Sequence, residues 1–546
     1  MIERADYIIV GAGSAGCVLA GRLSEDENTS VLILEAGGKD KNLFIHMPAG
    51  YSQLVPESND QNYGFETEAE PNLGGRQMYW PRGRGWGGSS SINAMVYIRG
   101  NAYDYDHWSQ LGNQGWSYES VLPYFKRAED FSGDGDGEYH GTGGPLSVQK
   151  SNRENDKLLD VFVEAGQQAG IPFTKDFNGK SQEGVSRYEH TIRGSKRCSA
   201  ARGYLHPALN RKNLHTETDV TVDRGEFEGR KAVGVSFTKK GKSFTLRAQR
   251  EVILSAGALN SPQILLRSGV GPANEIKPHG LEMVHELLGV GQNLQDHLGV
   301  VSQFECTQPV TLHRSAVWWR TQLAGMQYLF FGKGDASFPP TAAGAFFKSS
   351  AEKAVCDMQI HYVSVAVPDV HGRADIPTSH GFSSIVYGCR PESRGHLTLK
   401  TASPDNPPAI YPNYLSAEQD VVDIRNGFRK TRNIFLQKAF DAYRGEQMKP
   451  SSDVNVENDD ELDAWIRATG ETLYHPVGTC KMGSDDMAVT NEHGQVHGLE
   501  GLRVVDASLM PTLISGNTNA PTIMMAEKIS DHIRGKNFLP PQQVSA

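Results

Sequence analysis

The chain has 546 residues and a mass of 59.8 kDa, which on length alone allows two to four domains. Hydrophobic residues make up 38% and charged residues 22%, mean hydropathy is -0.45, and no run of 18 apolar residues occurs. That pattern suits large buried cores and excludes a membrane-spanning helix, while the net charge of -10 argues against nucleic acid as a partner, since phosphate binding needs clustered Lys and Arg.

Taken in chain order, Asp6 to Val10 reads as a short apolar strand. It enters Gly11-Ala12-Gly13-Ser14-Ala15-Gly16 and a helix over Cys17 to Leu23, and a second apolar run, Val31 to Leu34, ends in Glu35. Gly11 permits the tight turn, Gly13 lets backbone approach a pyrophosphate, and Gly16 lets the helix pack on the strand. The helix N-terminus offers N–H groups and a positive dipole end to phosphates. Glu35 is spaced to accept from both hydroxyls of an adenosine ribose, and its charge disfavours a 2′-phosphate. With a strand beginning near residue 6, there is no room before it for a signal peptide.

The second glycine cluster runs from Gly83 to Asn93 (GRGWGGSSSIN). Its paired glycines give a backbone that can lie flat against a large planar or phosphorylated ligand, and Ser89 and Asn93 add polar side chains. Together the two clusters suggest a cofactor longer than NAD. Ser132 to Gly144 reads as a mobile Ser/Gly-rich loop. Glu251 to Gly257 is a buried-strand candidate followed by a helix from Ala258 to Ser268, and Leu502 to Asp506 is another strand of the same kind. Nucleotide-domain elements thus recur at the start, middle and end, so the domain is expected to be discontinuous: 1–155, 215–300 and 465–540.

The remainder, 156–214 and 301–464, has a different pattern. Met358 to Val367 and His396 to Lys400 alternate apolar and polar, the period of half-covered strands. Glu418 to Phe435 is an amphipathic helix with Val421, Ile424, Phe428 and Ile434 on one face. These predict a substrate domain of antiparallel sheet backed by helices, giving an α/β fold with an α+β second domain. Val317 to Phe347, rich in Trp, Phe and small residues, reads either as core packing or as an apolar substrate funnel or lid. The six cysteines are scattered without a C-x-x-C pair, as expected for isolated thiols in a reducing, cytoplasmic compartment, and no metal site is expected.

The third cluster is C-terminal. Pro476 stiffens the placement of His475, Asp506-Ala507-Ser508 follows the last apolar strand, and Asn517-Thr518-Asn519-Ala520-Pro521-Thr522 comes after it.

These motifs resemble the glucose–methanol–choline (GMC) flavoprotein oxidoreductases over essentially the whole length. The resemblance rests on residues 11–16, on 83–93 continuing through Tyr97, Gly100 and Asp106, on Gly257 to Pro262 through Gly271, and on His475 and Asn519. Ile92 to Gly100 and Val290 to His297 are most similar to choline dehydrogenases and FAD-dependent primary alcohol dehydrogenases. The resemblance implies FAD. Gly11, Gly13, Ser14, Ala15, Gly16, Glu35 and Ala36 would hold the ADP half, with Val220 at the adenine side. Gly88, Ser89, Asn93 and Val96 would run beside the pyrophosphate and isoalloxazine, and Asp506, Ala507, Asn519 and Thr522 would approach the ribityl chain and pyrimidine. Ile92 stands where some members carry a flavin-linked histidine, so non-covalent FAD is expected.

Alcohol oxidation needs a base for the hydroxyl proton and an acceptor for the hydride. His475 is the expected base and Asn519 the expected oxyanion partner, with Tyr474 a further candidate. Choline-oxidising relatives carry a glutamate after the Gln-Asp-His run, where this chain has Gly299. The expected substrate is therefore an uncharged aliphatic, aryl or polyether primary alcohol, with choline as the alternative. A flavin-binding protein without alcohol chemistry is the alternative of another class. Trp318, Trp319, Phe330, Phe331 and Phe338 are candidates to line an apolar channel. Oxygen and quinone both stand as electron acceptors, and peripheral membrane docking through the aromatic segment stays open.

Overall fold

A computed structural model describes residues 2–150, 156–313, 318–367, 371 and 379–544; the side chains of Trp318 and Trp319 lie outside that description. Two sheets carry the architecture. The first has its parallel strands in the order Leu214–Glu217, Val31–Leu34, Arg4–Val10, Lys242–Leu254, with Leu502–Val504 on the other edge of Lys242–Leu254. Val31 to Leu34 and Ile8 to Val10 are all buried, the continuous apolar run of a strand covered on both faces. The N-terminal half of Lys242–Leu254 continues outward as an antiparallel meander with Lys231–Lys239 and Thr221–Glu228. One sheet thus draws strands from the start, middle and end of the chain.

The helices Ser14–Leu23 and Asn519–Ile533, from opposite ends of the chain, pack together. A buried carboxylate ties them. Glu527 takes Arg22 at 2.8 Å, Arg127 at 2.7 Å and the Tyr204 hydroxyl at 2.7 Å. Three donors satisfy a charge that burial would otherwise make costly.

The second sheet is antiparallel: Arg444–Lys449, Leu298–Cys306, Gly381–Gly388, Met358–Val363, Thr341–Phe347 and Gly184–Arg187, with Glu471–Thr472 also on Leu298–Gly299. The helix Glu418–Phe435 lies against it and buries Val421, Ile424, Phe428 and Ile434, the stripe its periodicity predicts. Glu418 and Asp420 in its first turn complement the dipole.

Several details differ from expectation. Leu298–Cys306 runs through the expected boundary at residue 300, and Glu471–Thr472 joins the antiparallel sheet although it lies beyond residue 464. The Ser/Gly-rich loop is tied down, because His140 reaches Glu129 at 3.0 Å and Asp176 at 2.7 Å, and the Gly141 N–H donates to Glu129. Its composition hid one histidine long enough to reach a buried carboxylate. The segment after residue 317 forms an outward helix, Trp318–Phe331, on which Phe330 is 76% and Phe331 73% exposed. None of its described side chains lines the cavity at the strand ends, and the expected lining role of Trp318 and Trp319 lies outside the described residues.

Candidate active site

A cavity of about 810 Å³ runs from the C-terminal ends of the parallel strands to the face of the antiparallel sheet. Three helices begin at it, Ser14–Leu23, Gly257–Arg267 and Asn519–Ile533. Asp506 takes the Gly257 N–H, but no side chain caps the other two N-termini, which leaves N–H groups and positive dipole ends there for an anion.

The glycines explain the close approach. At Gly11, with φ +101°, a Cβ would lie 2.5 Å from the Ser255 carbonyl oxygen. At Gly88 it would lie 2.8 Å from Gly13 Cα, so the second glycine cluster rests on the first. The space beside Gly13 is open: a Cβ there would meet only Ser255 O, at 3.8 Å. Gly16 does not line the cavity; its Cβ would fall 1.9 Å from Gly11 O, and its role is helix-to-strand packing.

Glu35 lines the cavity at the end of its strand and ties both glycine loops, accepting from the N–H groups of Ala12 (2.8 Å), Gly37 (2.8 Å) and Gly85 (2.9 Å). Burial pushes its carboxyl up, against the pull of those three donors. Ser14, Ala15, Ala36, Ser89, Asn93, Val96, Val220, Ala507, Asn519 and Thr522 line the same cavity. Asp506 does too, but its carboxylate is engaged inside the protein by Gly257 N–H, Ser261 and Ser508. Phe330, Phe331 and Phe338 do not line it; Val363, Val365, Ile385 and Leu473 form the apolar walls instead.

At the far end stands His475. The antiparallel pairing of 295–299 with 471–477 places it: Gln295 bridges Val477, Leu298 pairs with Thr472, and the Leu473 N–H donates to His297 O. Tyr474 just before it has φ +69°, a strained value for a non-glycine residue. Neighbours hold that turn. Its N–H donates to Thr472 Oγ1 at 2.9 Å, its carbonyl accepts from Arg82 at 2.7 Å, and its hydroxyl meets His371 Nδ1 at 2.9 Å. The His475 N–H donates to Asp296 at 2.6 Å, and Asp296 also accepts from Thr472 and Tyr414.

The ring protonation follows from one backbone carbonyl. His297 Nε2 lies 2.8 Å from Cys389 O and must donate to it. A neutral His297 then has only a lone pair at Nδ1, which faces His475 Nδ1 at 2.9 Å. His475 must therefore donate from Nδ1, and its Nε2 is left as an acceptor. The Asn517 amide nitrogen approaches that Nε2 at 3.1 Å. Burial holds His297 down at about 4 and His361 at about 3, and burial with His297, His361 and Arg82 holds His475 well below the usual imidazole range. His361 also lines the cavity, and its buried Nδ1 has no hydrogen-bond partner. An orphaned ring nitrogen at one end and bare helix N-termini at the other fit a long, phosphate-bearing cofactor with a polar ring.

The expected partner of His475 is corrected here. Asn519 Oδ1 accepts from Ser14 Oγ at 2.8 Å, in the first turn of its helix; the amide beside His475 belongs to Asn517. Pro521 holds the signal that separates them: proline belongs in a first helical turn, so 519 to 521 form that turn and Asn517 stays in the preceding loop. His361, Arg82 and Gln359 had no motif to mark them; His297 ends the Gln295-Asp296-His297 run, which carried the resemblance without giving that ring a role.

The fold and the site are those of a dinucleotide-dependent oxidoreductase, with a buried imidazole at the far end of the cavity. Two models of the GMC oxidoreductase family match residues 5–299 and 391–526. The chain belongs to that family. It is 47% identical over 539 residues to an oxygen-dependent choline dehydrogenase from Chromohalobacter salexigens, covering 98% of this chain and 96% of that one. It is also 47% identical to the human mitochondrial choline dehydrogenase, covering 98% and 90%. Pyridoxine 4-oxidase from Mesorbium loti superposes with TM-score 0.88 at 29% identity over 98% of this chain and 100% of that one. A formate oxidase superposes with TM-score 0.91 at 23% identity over 98% of each chain, a likeness of fold.

Neutral His297, His361 and His475 give a pH dependence. Each takes up a proton on unfolding below its ordinary value near 6.5, so the unfolded state binds more protons and stability falls as pH drops from 6.5 towards 4. Asp296, raised to about 6 by burial, and Glu189, raised to about 8, oppose this, as do Glu35, Asp104 and Asp506, which burial also raises. The histidine contribution is therefore read directly: NMR of 15N-histidine-labelled protein is expected to show these three rings neutral at pH 5.5, and a charged ring among them contradicts the neutral-imidazole assignment.

Proposed function

We propose that this chain, an FAD-dependent alcohol oxidoreductase, oxidises an uncharged primary alcohol to the aldehyde. His475 is the base and Asn517 the oxyanion partner. The carrying observation is His475 Nε2, an acceptor 3.1 Å from the Asn517 amide nitrogen at the end of the cavity. Bound FAD supplies the hydride acceptor. His475 takes the substrate hydroxyl proton at Nε2 and keeps its Nδ1 proton on His297. The Asn517 N–H turns from Nε2 to the oxygen that becomes negative. Burial disfavours imidazolium, so the proton on His475 is stable only beside an anionic oxygen, which couples the two charges. Asn519 serves the cofactor side with Ser14.

Supporting an uncharged substrate, the carboxylates among the described lining residues are Glu35, Asp405 and Asp506, all on the nucleotide side. Gly299 carries no acid, and a Cβ there would have to displace the end of the Leu473 side chain, whose Cδ2 would lie at 2.5 Å. Choline is the second reading, favoured by the 47% identity to choline dehydrogenases.

The reading also covers cofactor attachment and acceptor. FAD is held non-covalently: Gly83 to Asn93 has no histidine or cysteine, and Ile92 lines the cavity at the family's linkage position. Quinone is the acceptor, reached by peripheral docking. No helix among the described residues is long and apolar enough to cross a membrane. The helix Trp318–Phe331 instead exposes Leu323, Met326, Leu329, Phe330 and Phe331, with Leu43 and Phe44 exposed on a segment joined to it through Tyr328 and His46. Oxygen is the other acceptor, named in the bacterial relatives.

Anaerobic stopped-flow reduction across hexanol, benzyl alcohol, a short polyethylene glycol and choline tests the central reading. The neutral alcohols are expected to reduce the flavin faster; choline ahead of all three reverses the substrate assignment. His475→Ala is expected to keep yellow FAD and lose reduction by several orders of magnitude, and Asn517→Ala by about 10²–10³. Asn519→Ala is expected to weaken FAD retention more than the reduction rate. Acid precipitation is expected to leave all the flavin in the supernatant, whereas yellow pellets mean a covalent link. Phe330→Ser with Phe331→Ser is expected to lose co-sedimentation with anionic vesicles that the wild type shows; equal sedimentation of both removes the docking helix.

A further inference from the structure

In the resting site, His475 Nε2 is held as an acceptor by the N–H side of the Asn517 amide. The two sides of an amide have nearly the same shape, so the orientation must be chosen from behind. The strand Met358–Val363 makes that choice. The Tyr188 hydroxyl donates to the Ile360 backbone carbonyl at 2.6 Å. Having spent its only hydrogen, the Tyr188 oxygen can only accept, and Gln359 Nε2 approaches it at 3.0 Å. The opposite end of the Gln359 amide, Oε1, accepts from the Tyr387 hydroxyl. The second hydrogen on Gln359 Nε2 points to Asn517 Oδ1 at 3.4 Å, the longest link of the chain. With its oxygen held there, Asn517 presents Nδ2 to His475.

Gln359, Tyr188 and Tyr387 are all fully buried, so no water competes to reorient them. Proton polarity therefore runs from two backbone carbonyls, Cys389 O through His297 and Ile360 O through Tyr188 and Gln359, and meets at His475 Nε2. If Asn517 were reversed, two N–H groups would face each other at Gln359 and two lone pairs at His475. We propose that Gln359 is a positioning residue that selects the orientation of the Asn517 amide and thereby keeps His475 Nε2 unprotonated. This rests on the assignment of His475 as base. It makes the reacting geometry a joint product of both sheets, because Gln359 belongs to the antiparallel sheet and Asn517 to the loop leading into the helix Asn519–Ile533.

The test uses the FAD-loaded protein. Gln359→Met keeps the length and removes the donor, and Gln359→Glu keeps the shape and supplies an acceptor. Limiting rates of anaerobic flavin reduction are measured against pH, and protonation of His475 is followed separately by NMR of 15N-histidine-labelled protein. In Gln359→Met the amide is free to reverse, and a carbonyl facing Nε2 holds a proton there. The acidic limb of the rate profile and the His475 titration are expected to move together to higher pH. The plateau rate is expected to fall about 10–100-fold, less than for outright removal of a donor, with unchanged flavin content and little change in KM. Gln359→Glu is expected to move the limb further, and it carries the test alone if the methionine variant does not fold. Tyr188→Phe is expected to shift the limb in the same direction by less. An unmoved limb and titration in the folded Gln359 variants overturn the inference whatever happens to the rate, since a packing role lowers rate or flavin content without changing protonation. A wild type that no alcohol reduces, or a His475→Ala variant reduced normally, instead overturns the base assignment on which this rests.

Discussion

His475 and His297 meet nitrogen to nitrogen at 2.9 Å inside the protein, and one proton lies between them. Water cannot settle which ring holds it, because both are buried. The Cys389 carbonyl settles it, by requiring the far nitrogen of His297 to donate. The rest of the site depends on that constraint. A charged His297 would set two donors against each other and push the proton on His475 to Nε2, where a base is needed. Burial prevents this by holding His297 near 4.

The surrounding structure keeps this pair in register. Tyr474 takes a strained backbone angle, and the strain is held by Thr472, Arg82 and Asp296 around it. At the other end of the cavity Glu35 ties the two glycine loops together, while Glu527 clamps the first and last helices of the nucleotide domain. These buried carboxylates solve one problem, that of a domain whose strands are hundreds of residues apart in sequence. Each places N–H groups or helix ends from separate segments around one space, where a cofactor can use them.

Where chemistry forces a local pattern, the sequence is legible. The glycines at 11, 16 and 88 are required by contacts of 2 to 3 Å between backbones, which any larger residue would break, and so they read as a motif. The amphipathic stripe of Glu418–Phe435 is legible for the same reason, since burial imposes its period. The partner of His475 is not legible in that way. Asn517 and Asn519 are two positions apart with the same side chain, and only the start of the helix separates their roles. Gln359 touches only neighbours distant in the chain, and nothing local distinguishes it from a polar residue on an ordinary strand; the run ending at His297 is recognisable, but not which ring nitrogen it turns to His475. The aromatic segment misleads for a related reason: Phe330 and Phe331 suggest a wall, but a wall also needs a face turned inward, and that helix turns outward.

The same electrostatics bear on the substrate. Arg82 lies beside Tyr474, and it depresses the His475 imidazole along with His297 and His361. Asp296 stands behind them, accepting from the His475 N–H and attracting Arg82, while no carboxylate among the described lining residues faces the cavity at this end. A quaternary ammonium group would lose its hydration on entering and gain no counter-charge, a cost that aromatic faces alone repay only in part. A neutral alcohol carries no such cost. Its oxygen becomes negative only as the proton leaves, at the moment when the Asn517 N–H and the newly charged imidazole are placed to meet it. Under the proposed mechanism, a lining that offers a cation no counter-charge also leaves the Asn517 N–H to meet the developing alkoxide.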